Sequence, residues 1–472
     1  MNSVSKRIIA AVMVFALLFT ASVQSFAAGG DLAWEALWEK EGDNGVIIFP
    51  GSNESERRFS WYSATESVPK VIISESPLLT DSRTFTGTAL AAPDGDFANK
   101  VTVTGLLSGN TYYYRCISDG FESQIYSFKT AGDEFSALYM TDIHVSFDET
   151  DETALKSTAA KLNETVSEAM LRNSNISLLL SAGDQASSGF ENEYKAFSSA
   201  LWFKSISVAT AIGNHDRKGI AYKTFKNMPN EKQDNIVSSY IGSDYWFVKG
   251  DVLFLVVDTN NGSGIDHRNF VKSAVKANPD VKWRVMMCHH DLYSGRLPHR
   301  ESENQLLRML WAPIADEFKI DLVLLGHSHY YTITNVMYNN QTVEPYAETM
   351  TNPKGTIYMV SGSINRPRND DEIGLSENVG FAELTNDPIY NIIDFSENSI
   401  KVSSYTLGSR DAFNTYTIVK TTNDGGHSSK LPSPFNYFVR AVGTVYSFFN
   451  NINVYKSLKD KGYQVNFFEC VF

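Results

Sequence analysis

Ser207-Val208-Ala209-Thr210-Ala211-Ile212-Gly213-Asn214-His215-Asp216 runs a short strand-like segment directly into a Gly-Asn-His-Asp tetrad. The first six residues have the length and apolarity of a buried strand, whereas packing gives no use to the polar side chains that follow. Four other stretches repeat the arrangement. Asp142-Ile143-His144 follows Phe135 to Thr141, and Gly183-Asp184 follows Ile176 to Leu180. His289-His290 ends the run Val285 to Cys288, and Gly326-His327-Ser328-His329 ends Ile320 to Leu325. Helix-like segments lie between the runs. Residues 152–172, for example, carry Leu155, Ala159, Leu162, Val166, Ala169 and Met170 at helical spacing. This alternation predicts an α/β layered domain over residues 132–409, with the five polar loops gathered beyond the carboxyl ends of its strands.

Six of the nine histidines fall in those loops. Their donors are carboxylates, an amide carbonyl and imidazoles, with no thiolate, a set that suits Mn, Fe or Zn. Two such cations need a shared carboxylate, and Asp184 is the natural candidate. Glycines before Asp184, Asn214 and His327 permit close backbone approach. Taken singly, Gly-Asp is an ordinary turn and at most one of His289 and His290 need be a ligand. The ordered set of five carries the reading. Arg296, His299 and Arg300 are further candidates for substrate contact, against a solvated loop. His267 and His427 are expected to be structural or exposed.

Residues 28–131 read differently. Short runs such as Phe59 to Tyr62 and Lys100 to Val103 alternate with turn clusters, among them Pro93-Asp94-Gly95-Asp96. Leu106, six residues before Tyr112, fits the tyrosine corner of an all-β sandwich. This stretch contains no histidine, so no catalytic residue is expected from it. Before it, Lys6 and Arg7 precede the apolar run Ile8 to Phe19, and Ser25-Phe26-Ala27 supplies a small-x-small pattern. Residues 1–27 therefore read as a signal peptide, too short in its apolar run to span a membrane, and the chain as secreted or extracytoplasmic. At the other end, residues 410–472 read as a polar linker and a helix bearing Tyr437, Phe438, Ala441, Val442, Val445, Tyr446 and Phe449 at helical spacing. That helix is expected to pack on the catalytic domain, with a surface-anchoring or partner helix as the alternative.

Three cysteines are too few for a disulfide scaffold. Cys288 reads as a buried free thiol, and a Cys116–Cys470 bridge stays open. A net charge of −13 argues against a general nucleic-acid coat and against an anionic-membrane binder, with a local basic patch left open. No phosphate-cradling P-loop is evident.

The five motifs in this order resemble the calcineurin-like metallophosphoesterase superfamily. With the β region in front, residues 40–409 are similar to the purple acid phosphatases and their N-terminal fibronectin type III-like domain. The resemblance implies a four-layer α/β sandwich with a binuclear metal centre. On it, Asp142, His144, Asp184 and His329 would hold the first metal, and Asp184 would bridge. Asn214, His289 and His327 would hold the second. His215 would serve as acid or charge stabiliser, with Asp216 orienting its ring. The implied enzyme is a secreted phosphatase hydrolysing phosphate monoesters by attack of a metal-bound hydroxide, on phosphorylated small-molecule or nucleotide substrates. A phosphodiesterase or nucleotidase is the alternative on the same site, and a non-catalytic adhesion or scaffold protein belongs to another class. Two positions depart from the purple enzymes. Ser187 stands where their iron-bound tyrosinate gives the colour, and His144 stands where they have glycine. The resemblance thus implies two divalent metal ions and no colour.

Overall fold

Strand-length runs separated by turns, with apolar residues alternating, fold the front of the chain into two β-layers. Ile47–Pro50, Glu56–Ser63, Phe97–Thr104 and Thr88–Ala91 form one antiparallel sheet. Lys70–Ser74, Arg83–Thr86 and Thr111–Ser118, with two shorter strands, form the other. Phe59, Trp61, Val71, Ile73, Val101 and Tyr114 fill the space between them. The Leu107 N–H donates to Tyr112 Oη at 2.8 Å, which is the tyrosine corner expected from the sequence. The computed structural model describes residues 32–471, apart from 147–150, 238, 294–300, 369–374, 423–425 and 428–434. The expected leader at residues 1–27 and Arg296, His299 and Arg300 lie outside the described residues.

The second domain is built on two seven-stranded sheets. In the first, Phe135–Met140, Ile176–Ser181 and Ser207–Thr210 run parallel, and Phe135–Met140 also pairs antiparallel with Ile389–Phe395. In the second, Val252–Val256, Trp283–Met287, Leu322–Leu325 and Ile357–Val360 run parallel. The parallel strands are buried on both faces, which is why they read as unbroken apolar runs. The inner faces of the two sheets share one core. Helix Glu152–Arg172 covers the first sheet, and Gly264–Ala277 and Glu301–Glu317 cover the second, giving four layers. Asp151 caps the first of these helices by accepting from the backbone of Thr153 and Ala154.

The front domain docks through its own core-quality residues. Ile47 and Phe49 join the core between the large sheets, with the Phe49 and Phe225 rings 5.2 Å apart. Glu54 bridges the domains, accepting from Lys249 Nζ at 2.7 Å, Arg57 Nη2 at 2.6 Å and the Ala131 N–H at 2.6 Å. Burial alone would raise its pKa, but Lys249 and Arg57 outweigh that and lower it to about 2. Removing one partner of a buried pair costs about 3–5 kcal/mol. We therefore expect Glu54→Gln to lower the unfolding free energy by about 3 kcal/mol at neutral pH, read from urea titration. The carboxyl has a lower pKa folded than unfolded, so its contribution is complete above pH 4.5 and vanishes as pH falls towards 2. Wild type and variant should converge over that interval. A difference that persists unchanged in acid would exclude the ion pair as its source.

The tail corrects one expectation. Phe435–Asp460 is a single helix, packed against Gly264–Ala277 and Glu301–Glu317. Its buried face carries Val439, Arg440, Thr444 and Ser447, whereas Tyr437, Phe438, Val442, Val445, Tyr446 and Phe449 are exposed. The helix packs on the domain as the periodicity suggests, but with its apolar stripe outward. The reason is close approach: a Cβ at Gly443 would lie 2.6 Å from Gly262 O and 2.7 Å from Leu310 Cδ2. All three cysteines are free and buried, so Cys116 and Cys470 are not bridged. No helix among the described residues is long and apolar enough to cross a membrane.

Candidate metal centre

The five loops converge where the parallel strands of both sheets end. Asp142 and His144 leave the strand Phe135–Met140, Asp184 leaves Ile176–Ser181, and Asn214 and His215 follow Ser207–Thr210. His289 follows Trp283–Met287, and His327 and His329 follow Leu322–Leu325. Asp142, His144, Asp184, His327 and His329 all hold φ between 49° and 75°. Non-glycine residues pay for that conformation with strain, and strain of this kind clusters at functional sites. It turns each side chain back over the strand end from which it came.

Glycines let the loops touch. At Gly213 a Cβ would fall 2.0 Å from Asp184 Oδ1, and at Gly183 (φ +99°) it would fall 2.5 Å from His289 Nδ1. Asp142, His144 and His329 form one cluster of donors, and Asp142, Asp184 and His289 another, each within 4.8 Å. His144 Nε2 lies 3.7 Å from Asp184 Oδ2 and 3.1 Å from His329 Nε2. Asn214 Oδ1 lies 3.0 Å from His289 Nε2 and 2.9 Å from His327 Nδ1. All seven residues singled out as metal ligands therefore meet in one place.

The hydrogen bonds behind the rings show what the site lacks. His329 Nδ1 lies 2.8 Å from Arg366 O, and His289 Nδ1 lies 2.9 Å from Ala182 O. A carbonyl only accepts, so each Nδ1 carries a proton and each ring turns its Nε2 into the site. Each of these Nε2 atoms faces a carboxylate. His329 Nε2 is 3.1 Å from Asp142 Oδ1, which is buried and receives no hydrogen bond among the described residues. His289 Nε2 is 3.3 Å from Asp184 Oδ2. Burial lowers the pKa of His289, but Asp184 and Asp142 outweigh it and push it up to about 9. Burial holds His144 down at about 3. Buried carboxylates and imidazole nitrogens turned towards one common space make a donor set that a cation can occupy, so the residues present fit divalent metal ions.

Beside this cluster a ring nitrogen of His215 lies within 4.8 Å of donor atoms of His144 and Asp184. Its Nδ1 is held 2.8 Å from Ser187 O and 2.6 Å from Lys218 Nζ. Asp216 does not orient that ring, contrary to expectation. Its carboxylate accepts from the N–H groups of Asp184, Ala186 and Gly213 and from Tyr194 Oη, all at 2.8–3.0 Å. Three backbone donors within reach leave the carboxylate tied to the loops, and it locks the Asp184 loop to the Asn214 loop. Burial and the Asp184 charge raise its pKa to about 6. Lys218 was not singled out in the sequence, although its position three residues after His215, on the turn Asp216–Lys218, is a readable signal. His290 Nδ1 lies 2.8 Å from Thr259 Oγ1. His267 is buried between Asp244 and Asn261, and His427 against Asp321, so both are structural.

Residues 135–331 match the family model of the calcineurin-like phosphoesterases, and residues 43–130 match the purple acid phosphatase N-terminal domain. The chain carries a calcineurin-like phosphoesterase domain. Together the two domains indicate a hydrolase of phosphoric ester bonds, purple acid phosphatase-like in fold, with a candidate metal site. Purple acid phosphatase PPD1 from yellow lupin (Lupinus luteus) superposes with a TM-score of 0.65 at 16% identity, over 83% of this chain and 76% of that one. PhoD superposes with a TM-score of 0.54 at 12% identity, over 87% of this chain and 98% of that one. At these identities the likeness shows the fold of the phosphoesterase and its front domain. No curated protein matches the sequence.

Proposed function

We propose that the chain is a secreted phosphatase of phosphate monoesters that uses two divalent metal ions. The observation that carries this reading is the set of buried carboxylates and imidazole nitrogens turned towards one another at the centre of the five loops. Asp142, His144, Asp184 and His329 would hold one cation. Asp184, Asn214, His289 and His327 would hold the other. Two bound cations lower the pKa of water and offset charge on a phosphoryl group. The chain's own residues do the rest. Asp216 fixes the Asp184 and Asn214 loops against each other, so the donors stay in register. Lys218 Nζ can donate to both His215 Nδ1 and Ser187 O, which leaves the ring proton on Nε2, and that N–H can meet a phosphoryl or leaving oxygen. The leader-like residues 1–27 support secretion. The same site also serves a diesterase or nucleotidase, and a substrate panel separates these.

Chelation should abolish hydrolysis of p-nitrophenyl phosphate, and Mn, Fe or Zn should restore it. Full turnover by exhaustively demetallated protein would overturn the proposal. The sample should also be colourless. Ser187 lacks a phenolate and has its carbonyl beside the His215 ring, and it is the imidazole of His144 that reaches Asp184. One anionic ligand fewer favours divalent over ferric iron. An intense visible band from iron-loaded protein, lost in Ser187→Ala or His144→Ala, would show the assignment to be mistaken.

A further inference from the structure

Helix Phe435–Asp460 turns its polar side inward and its apolar side outward. Arg440, 2% exposed, reaches Glu317 Oε2 at 3.3 Å. Thr444 Oγ1 lies 3.2 Å from Ser263 Oγ. Ser447 Oγ donates to Asn261 Oδ1 at 2.8 Å and accepts from the Gly262 N–H at 2.6 Å. These bonds, with the close contact at Gly443, fix the roll of the helix on the domain. The outward stripe is therefore a fixed feature of the folded surface. Along it Tyr437 is 59% exposed, Val442 48%, Val445 58%, Tyr446 60% and Phe449 60%. A contiguous exposed apolar stripe on an otherwise ordinary surface marks an interaction site.

Charge says what the stripe meets. The chain has 54 Asp and Glu residues and a net charge of −13, yet the helix Phe435–Asp460 carries a single acid, its last residue Asp460. Lys456 stands two heptad-like turns beyond Phe449 and Lys459 four such turns beyond Val445, so both share the face of the stripe. Both are exposed. Aromatic rings and aliphatic side chains next to lysines, on a helix that is not long and apolar enough to span, are the make-up of a helix lying in a membrane interface.

We propose that this face binds an anionic lipid surface, with the stripe at the acyl boundary and Lys456 and Lys459 at the level of the headgroup phosphates. The site is separate from the metal centre, and hydrolysis serves only to report that variants are folded. The test is co-sedimentation of the full chain with vesicles of phosphatidylcholine, alone or mixed with phosphatidylglycerol. Wild type should partition onto the mixed vesicles. Val445→Ser/Tyr446→Ser/Phe449→Ser should weaken that by tenfold or more, roughly, with unchanged hydrolysis of p-nitrophenyl phosphate. Lys456→Gln/Lys459→Gln should weaken binding to the mixed vesicles about tenfold and leave plain phosphatidylcholine unaffected. Absence of wild type from both vesicle types overturns the proposal. So does a dimer in sedimentation analysis that the triple variant dissociates while vesicles bind nothing, because a second copy then covers the stripe. Equal binding to both vesicle types, unmoved by the lysine variant, overturns the anionic lipid as the partner.

Discussion

Asp184→Asn should cost at least about 10³-fold in phosphate monoester hydrolysis and should empty both cation positions. Asp184 Oδ2 lies 3.7 Å from His144 Nε2 on one side and 3.3 Å from His289 Nε2 on the other. Its other oxygen, Oδ1, accepts from the His215 N–H at 2.8 Å. Asparagine can still take that backbone bond, so the loops should stay in place. What it removes is charge. Asp142 and Asp184 are the two carboxylates among the seven proposed ligands, so the substitution halves the negative charge that two cations share. Burial opposes ionisation of Asp184, yet His289 and His144 hold its pKa well below the ordinary carboxylate range. Metal analysis by mass spectrometry alongside turnover decides the matter. Two metals retained per chain, with turnover per metal unchanged, would show that Asp184 does not bridge.

Charge and spacing made the convergence of the seven candidate ligands legible, because each follows a strand run that only a doubly covered sheet leaves unbroken. The helix at 152–172 was legible for a similar reason: Asp151 supplies its cap and the buried positions Leu162, Val166 and Ala169 repeat at its period. Conformation was not legible. Nothing in the letters says that Asp142, His144 and Asp184 take positive φ, because those angles come from hydrogen bonds made across loops, such as His144 N–H to Asp184 O at 2.9 Å. The role of Asp216 was misjudged for the same cause. Adjacency in sequence pointed to the neighbouring ring, whereas three backbone N–H groups from two loops were nearer. The tail shows a different limit. Periodicity finds an apolar stripe but not the direction in which it faces, and here Gly443, Arg440 and Ser447 decided the direction.

His215→Ala should lower kcat by about 10²- to 10³-fold while leaving metal content as in wild type. In the proposed assignment the ring stands outside the ligand set, although a ring nitrogen lies within 4.8 Å of donor atoms of His144 and Asp184. Its Nδ1 accepts from Lys218 Nζ, which leaves the ring proton on Nε2, and its ring sits edge-on to His144 at 4.7 Å between centroids. Its own backbone N–H, not its ring, contacts the proposed bridging carboxylate. Alanine keeps that backbone bond and so preserves Asp184, but it deletes the N–H that meets the phosphoryl or leaving oxygen. An interaction made more strongly in the transition state than in the ground state appears in kcat, so KM should change much less. Asn214→Ala provides the contrast: its Oδ1 lies between His289 and His327, and its loss should deplete one metal. Were His215→Ala to lose a metal and keep its turnover per bound metal, the ring would belong to the ligand set instead. Loss of kcat at full metal occupancy would place it on the substrate side of the centre, where the leaving group departs.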